Sequence, residues 1–187
     1  MDYSQVVEDL GVPHRARAAL RTLMAAGAAA TPALRRGLRH PTPEVRIGCC
    51  NVLDHFLDED AVPELIENLT HEHEDVRARA MHALACDKCK EGTCRPGEGE
   101  TIPIALRLLR EDPSRRVRVE AVSLLFQAVH QNADVRNALE QARDHDASPN
   151  VRKQAGLRAP GGSLFLRTSP DRPRLSKSSA RAHLSAR

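Results

Sequence analysis

Three cysteines fall within nine residues, at Cys86, Cys89 and Cys94, in the run ALACDKCKEGTCRPGEGE that extends from Ala83 to Glu100. If the helix entering this run continues to Cys89, then His82, Cys86 and Cys89 stand at i, i+4 and i+7 and share one stripe. Cys94 follows in a stretch whose Gly92, Pro96, Gly97 and Gly99 let the chain fold back. The pattern H-x3-C-x2-C-x4-C supplies four nitrogen and sulfur ligands, the number that tetrahedral Zn²⁺ takes at about 2.0 to 2.3 Å. A structural zinc site at His82, Cys86, Cys89 and Cys94 is the first chemical expectation.

The same cysteines admit other chemistry. Cys86 and Cys89 form a C-x-x-C pair, but reactive pairs of this kind usually sit at a helix N-terminus, where the dipole lowers the thiol pKa. Here the pair follows a helix, which favours the thiol. An iron–sulfur cluster requires a fourth cysteine nearby, and the only others are Cys49 and Cys50. Those two are neighbours on a helix, point about 100° apart and cannot bridge one another. Inert thiols in a polar loop are the remaining alternative.

Other clusters are weaker. His71 and His73 lie in THEHEDVR, where a turn meets the first residues of a helix. Asp54, His55, Asp58, Glu59 and Asp60 form one acidic helix end, and Asp144, His145 and Asp146 form another. Charged, solvated turns account for all three. No Ser-His-Asp spacing, phosphate-cradling glycine loop or H-E-x-x-H motif occurs, so no specific enzyme is indicated.

Helices must position any such site. The 187 residues include no Trp, one Tyr and three Phe, so the core falls to Leu, Val, Ile and Ala, and Ala is the best helix former. An internal repeat organises them. PTPEVRIGCCNVLDHF from Pro41, HEHEDVRARAMHALAC from His71, DPSRRVRVEAVSLLFQ from Asp112 and ASPNVRKQAGL from Ala147 share a turn, then Val-Arg, then small or apolar residues at helical spacing. The pairs Val45-Arg46, Val76-Arg77, Val117-Arg118 and Val151-Arg152 are separated by 31, 41 and 34 residues. Each is preceded by another amphipathic helix, from Ala30, Ala61, Thr101 and Ala133, and a weaker copy begins at Pro13. Pro32, Pro63 and Pro103 are read as first-turn prolines, where a missing N–H costs nothing. Neither helix of a pair buries its stripe alone, so neighbouring pairs must stack.

The P-x-L first helix and the D-V-R-x-x-A-x-x-A-L second helix, as in EDVRARAMHAL, resemble HEAT repeats, particularly the short PBS-lyase-type HEAT-like repeats, over about residues 13 to 157. The resemblance implies an all-α, right-handed α-solenoid of about four helix pairs that acts as a protein-interaction scaffold, with its partner unidentified. It also implies that Arg46, Arg77, Arg118 and Arg152 bond neighbouring repeats. The repeats are named for proteins that attach or isomerise bilins, so a bilin lyase-like or thiol-redox role for the loop cysteines is the competing reading. The near absence of aromatics leaves little to wall a tetrapyrrole. In the repeat frame His55 aligns with Cys86 and His130 with Cys89, which makes both histidines spare metal ligands.

Organisation follows from these patterns. The solenoid is placed at residues 1–157, with a Cys-rich insertion at about 86–100, and a disordered basic tail at 158–187. The tail carries Arg158, Arg167, Arg172, Arg174, Lys177, Arg181 and Arg187 against Asp171 alone, or +6, which leaves −3 on residues 1–157 from a total of +3. An acidic body is a poor general nucleic-acid binder, although the tail is able to make weak contact. No run approaches the roughly 18 apolar residues of a membrane span, and no secretory leader pattern opens the chain. A cytoplasmic location is the expectation, and in a reducing compartment clustered cysteines favour metal over disulfides.

Overall fold

The computed structural model describes residues 2–56, 58–85 and 98–170, and among these no strand occurs. The described residues form eleven α-helices: α1 (Ser4–Glu8), α2 (Pro13–Ala26), α3 (Thr31–Gly37), α4 (Pro43–Leu53), α5 (Val62–Asn68), α6 (Glu74–Ala85), α7 (Glu98–Glu111), α8 (Arg115–Leu125), α9 (Ala133–His145), α10 (Pro149–Arg158) and α11 (Ser163–Thr168). The first ten form antiparallel pairs, so the weak copy at Pro13 is the second helix of a complete first pair.

Local chemistry starts the helices. Pro13, Pro32, Pro43, Pro63 and Pro149 occupy the first or second helical position, where the ring costs no hydrogen bond. Pro103 does not. It lies inside α7, which begins at Glu98 within the inserted stretch. The helix therefore gives up one N–H bond, toward the Gly99 carbonyl, in exchange for an extra turn of wall.

A recurrent turn precedes each second helix from α4 onward. His40, His71, Asp112 and Asp146 each accept the backbone N–H of the residue two places on, at 3.0, 3.0, 2.9 and 2.7 Å. These four residues stand six places before Arg46, Arg77, Arg118 and Arg152.

The apolar stripes meet in one core. Leu23, Leu34, Leu38, Leu53, Leu65, Leu69, Met81, Leu84, Leu125 and Leu139 are fully buried, each contributing about 1.5–3 kcal/mol by transfer from water. Small residues set how closely helices approach. Cys49 and Cys50 are free thiols inside this core, at places where the next repeats hold Ala80 and Met81. Burial pushes the Cys50 thiol up to about 12.

Second helices stack on one another, α4 on α6, α6 on α8 and α8 on α10, more closely than the first helices do. Such a row curves toward its tighter side, so α4, α6, α8 and α10 line the concave face. At its far end α10 turns outward polar or small residues, Lys153 and Gly156, where α8 presents Val119 and Val122. The Arg143 stem and the backbone at Gly162 lie over Gly156. The segment from 158, read from composition as disordered, holds α11, whose Phe165 packs against the core. A six-residue helix is too short to announce itself by periodicity, and residues 171–187 lie outside the described residues.

Candidate functional site

Two polar arrangements cross from repeat to repeat. The first is a ladder of arginines. Arg77 donates from Nε and Nη2 to the two oxygens of Asp112 at 2.7 and 2.9 Å, and from Nη1 to the carbonyls of His71 and Glu72. Arg118 repeats this with Asp146, at 2.8 and 3.0 Å, and with the carbonyls of Asp112 and Pro113. Burial alone would raise the Asp146 carboxyl; the bonds from Arg118 and the Ser148 N–H outweigh it and hold it below the usual range.

The outer rungs differ. Arg46 donates to Asn68 Oδ1 at 2.7 Å and to the His40 carbonyl, because His71 stands where the later repeats carry aspartate. Asn68 is buried and gives its own Nδ2 hydrogens to the Leu38 and Glu64 carbonyls. Arg152 bonds the Asp146 and Ala147 carbonyls of its own turn. A separate clasp joins α3 to α5, where Arg35 and Arg39 both donate to Oε1 of the buried Glu64 and Arg39 also grips Glu67.

The second arrangement lies on the concave face. His82, in the last turn of α6, places Nδ1 3.1 Å from Glu120 of α8 and Nε2 3.6 Å from Asp54 at the end of α4. The ring touches both neighbouring second helices and is 38% exposed, so it sits on the open side of the row. The Glu120 hydrogen bond, aided by the charges of Glu120 and Asp54, raises the His82 pKa above its ordinary value against burial and Arg79. Asp54 Oδ1 is buried and, among the described residues, has no hydrogen-bond partner. Arg158 closes the row on α10, with its guanidinium 5.7 Å from the Phe126 ring centre; burial lowers its pKa.

The zinc expectation divides accordingly. His82 is at the surface, while Cys86, Cys89 and Cys94 lie outside the described residues. Of the spare ligands, His55 is exposed beside Asp54, and His130 places Nε2 2.9 Å from Thr168 Oγ1 with its ring 4.6 Å from that of Phe165. His71 and His73 are turn residues, each accepting a backbone N–H through Nδ1. Among the described residues no three metal-ligating side chains converge, and no helix is long and apolar enough to cross a membrane. Asp54 and Glu120 escaped the sequence reading as partners of His82, because their positions in the repeat frame differ by one turn per repeat.

Comparison with known proteins follows the same lines. A family profile described as HEAT repeats matches residues 11–85. No curated protein matches the chain in sequence. Among solved structures, a designed armadillo repeat protein in complex with the peptide (KR)4 is 20% identical, covering 83% of this chain and 79% of its own, with a TM-score of 0.52. A computationally designed armadillo repeat protein for modular peptide recognition is 17% identical over 82% of this chain and 97% of its own, with a TM-score of 0.35. At these identities the first likeness is one of fold, a stacked helical-repeat solenoid.

Proposed function

We propose that this chain, whose residues 11–85 are HEAT repeats within a longer α-solenoid, is an interaction scaffold that binds a basic segment of a protein partner on its concave face. One observation carries the reading. Asp54 holds a buried oxygen with no partner among the described residues, next to an open row in which Glu120 and His82 stand on successive second helices. A carboxylate in that state gains a full charge-assisted hydrogen bond when a cationic side chain arrives. The −3 charge of residues 1–157 has the sign that steers such a segment, and the solved solenoid of like fold was itself captured with a basic peptide.

Titration of the full chain with fluorescein-labelled (Lys-Arg)4 tests this by anisotropy. Saturable, salt-sensitive binding that weakens about tenfold in Asp54→Asn or Glu120→Gln, the ratio for 1.4 kcal/mol, is the expected result. Binding of an acidic octapeptide instead overturns it.

The Cys-rich segment has its own role in the proposal. His82, Cys86, Cys89 and Cys94 hold a structural Zn²⁺ that pins the inserted loop to the end of α6. What supports this is the second contact of the histidine. A ligating imidazole commonly gives its other ring N–H to a carboxylate, and Glu120 stands at Nδ1; at Nε2 a metal would take the place of the 3.6 Å contact with Asp54. Elemental analysis of reduced protein should find about one zinc per chain, lost in the Cys86→Ala, Cys89→Ala double variant. Metal-free protein with freely titrating thiols rejects the site.

A further inference from the structure

On the opposite face, α7 and α9 leave a groove of about 580 Å³. Its floor is apolar, made by Leu106 and Leu109 of α7 with Ala138 and Ala142 of α9. The corresponding space between α3 and α5 is smaller, about 410 Å³, and the arginine clasp on Glu64 and Glu67 lines it with paired charges. Here no clasp forms. Arg110 on the α7 wall and Asp134 in the first turn of α9 make no ion pair among the described residues, and the exposed carboxamides Asn137 and Gln141 make no hydrogen bond there.

We infer that this groove docks an extended segment of a partner protein, with two apolar side chains at alternate positions between a basic residue and an acidic one. Spacing argues for the extended form. Asn137 and Gln141 are separated by four residues of helix, about 6 Å of rise, close to the roughly 6.6 Å between alternate residues of a strand. Each carboxamide both donates and accepts, so the pair satisfies alternate peptide groups of a chain lying along α9. A helical segment has its backbone groups already paired and leaves the carboxamides unused. The alternate side chains then point to the floor, one above Ala138 and one above Ala142.

Charge sets the ends. In the repeat frame Arg110 aligns with Asp144, ten residues of helix or about 15 Å beyond Asp134, a distance spanned by four to five extended residues, or about 13 to 17 Å. A basic side chain meets Asp134 and an acidic one meets Arg110, with two apolar residues between.

The probe is fluorescein-labelled Lys-Leu-Thr-Leu-Glu, titrated into the full chain and followed by anisotropy. Saturable binding is expected, weakened about tenfold by Asn137→Ala with Gln141→Ala and abolished by Ala138→Arg, which fills the groove. Ala138 is half-buried at the surface, and circular dichroism with a thermal melt verifies that the variant is folded. Asp54→Asn leaves this binding unchanged, which separates the groove from the concave face. An absence of saturation overturns the inference, as does an equal response to Lys-Ser-Thr-Ser-Glu or indifference to Ala138→Arg. Self-association that Ala138→Arg removes, without peptide binding, also overturns it, since the occupant is then a second copy.

Discussion

Arg77 and Asp112 meet fork to fork, with both partners nearly out of water at 11% and 3% side-chain exposure. The pair joins the turn before α6 to the turn before α8, and Asp112 also holds the Ser114 N–H. Removing the carboxylate strands a guanidinium that has little access to solvent. Asp112→Leu should therefore cost about 3 kcal/mol or more, measured by urea unfolding.

Glu64→Leu should behave differently, although Glu64 is equally buried. Its partners Arg35 and Arg39 are 39% and 52% exposed, so they regain water when the carboxylate goes. Glu64 Oε2 already lacks a partner among the described residues. Exchange for an apolar side chain of similar volume should change stability by less than about 1 kcal/mol. A loss as large as that of Asp112→Leu would contradict the account of both clasps.

His71 gives the array a pH dependence of definite sign. Burial first, then the charge of Arg46, holds its pKa below the ordinary 6.5, with Glu72 pulling the other way and His73 and Arg77 adding to the effect. A depressed folded-state pKa favours the neutral ring, so its contribution is complete above 6.5 and is lost as the pH falls through the folded value. His71→Asp supplies the carboxylate that the later rungs possess. It should raise stability by about 1 kcal/mol at neutral pH and flatten the fall in Tm between about pH 7 and 5. A Tm profile parallel to that of the parent protein would reject the assignment.

Gly37 marks the closest approach of α3 to its neighbours. A Cβ there would lie 2.5 Å from Cys49 Sγ and 2.6 Å from Val7 Cγ1, and both atoms belong to buried side chains. The gain in helix propensity, about 1 kcal/mol, does not offset the 1–3 kcal/mol or so of overpacking in two directions. Gly37→Ala should lower Tm, and adding Cys49→Ala should recover part of the loss by removing one of the two colliding atoms.

How much of this was legible depended on whether a feature repeats in register. The Val-Arg frame located the second helices because Val45, Val76, Val117 and Val151 each begin the same buried stripe. It singled out the arginines, and their acceptors left a readable trace in the residue six places earlier, where Asp112 and Asp146 stand in the places of His40 and His71. What stayed hidden crosses repeats out of register. Asp54, His82 and Glu120 meet only because each lies one turn earlier in its helix than the one before, and no linear spacing expresses that. Pro103 misled for another reason, since first-turn proline chemistry fitted a helix that begins five residues earlier, at Glu98.

The change of rung at His71 divides the molecule energetically. From Arg77 onward, second helices are tied to the following turn by buried ion pairs, whereas the α3/α4 pair is tied to the next one through the amide of Asn68 and through the clasp on Glu64, whose arginines are half-exposed. In an array held by nearest-neighbour terms, cooperativity extends only as far as the weakest coupling. Native-state hydrogen exchange should resolve two blocks, with amides of α1 to α4 opening ahead of those in α6 to α10. The solenoid then acts as a stiff spring with a compliant first segment, able to adjust its pitch at one end while the other keeps its curvature.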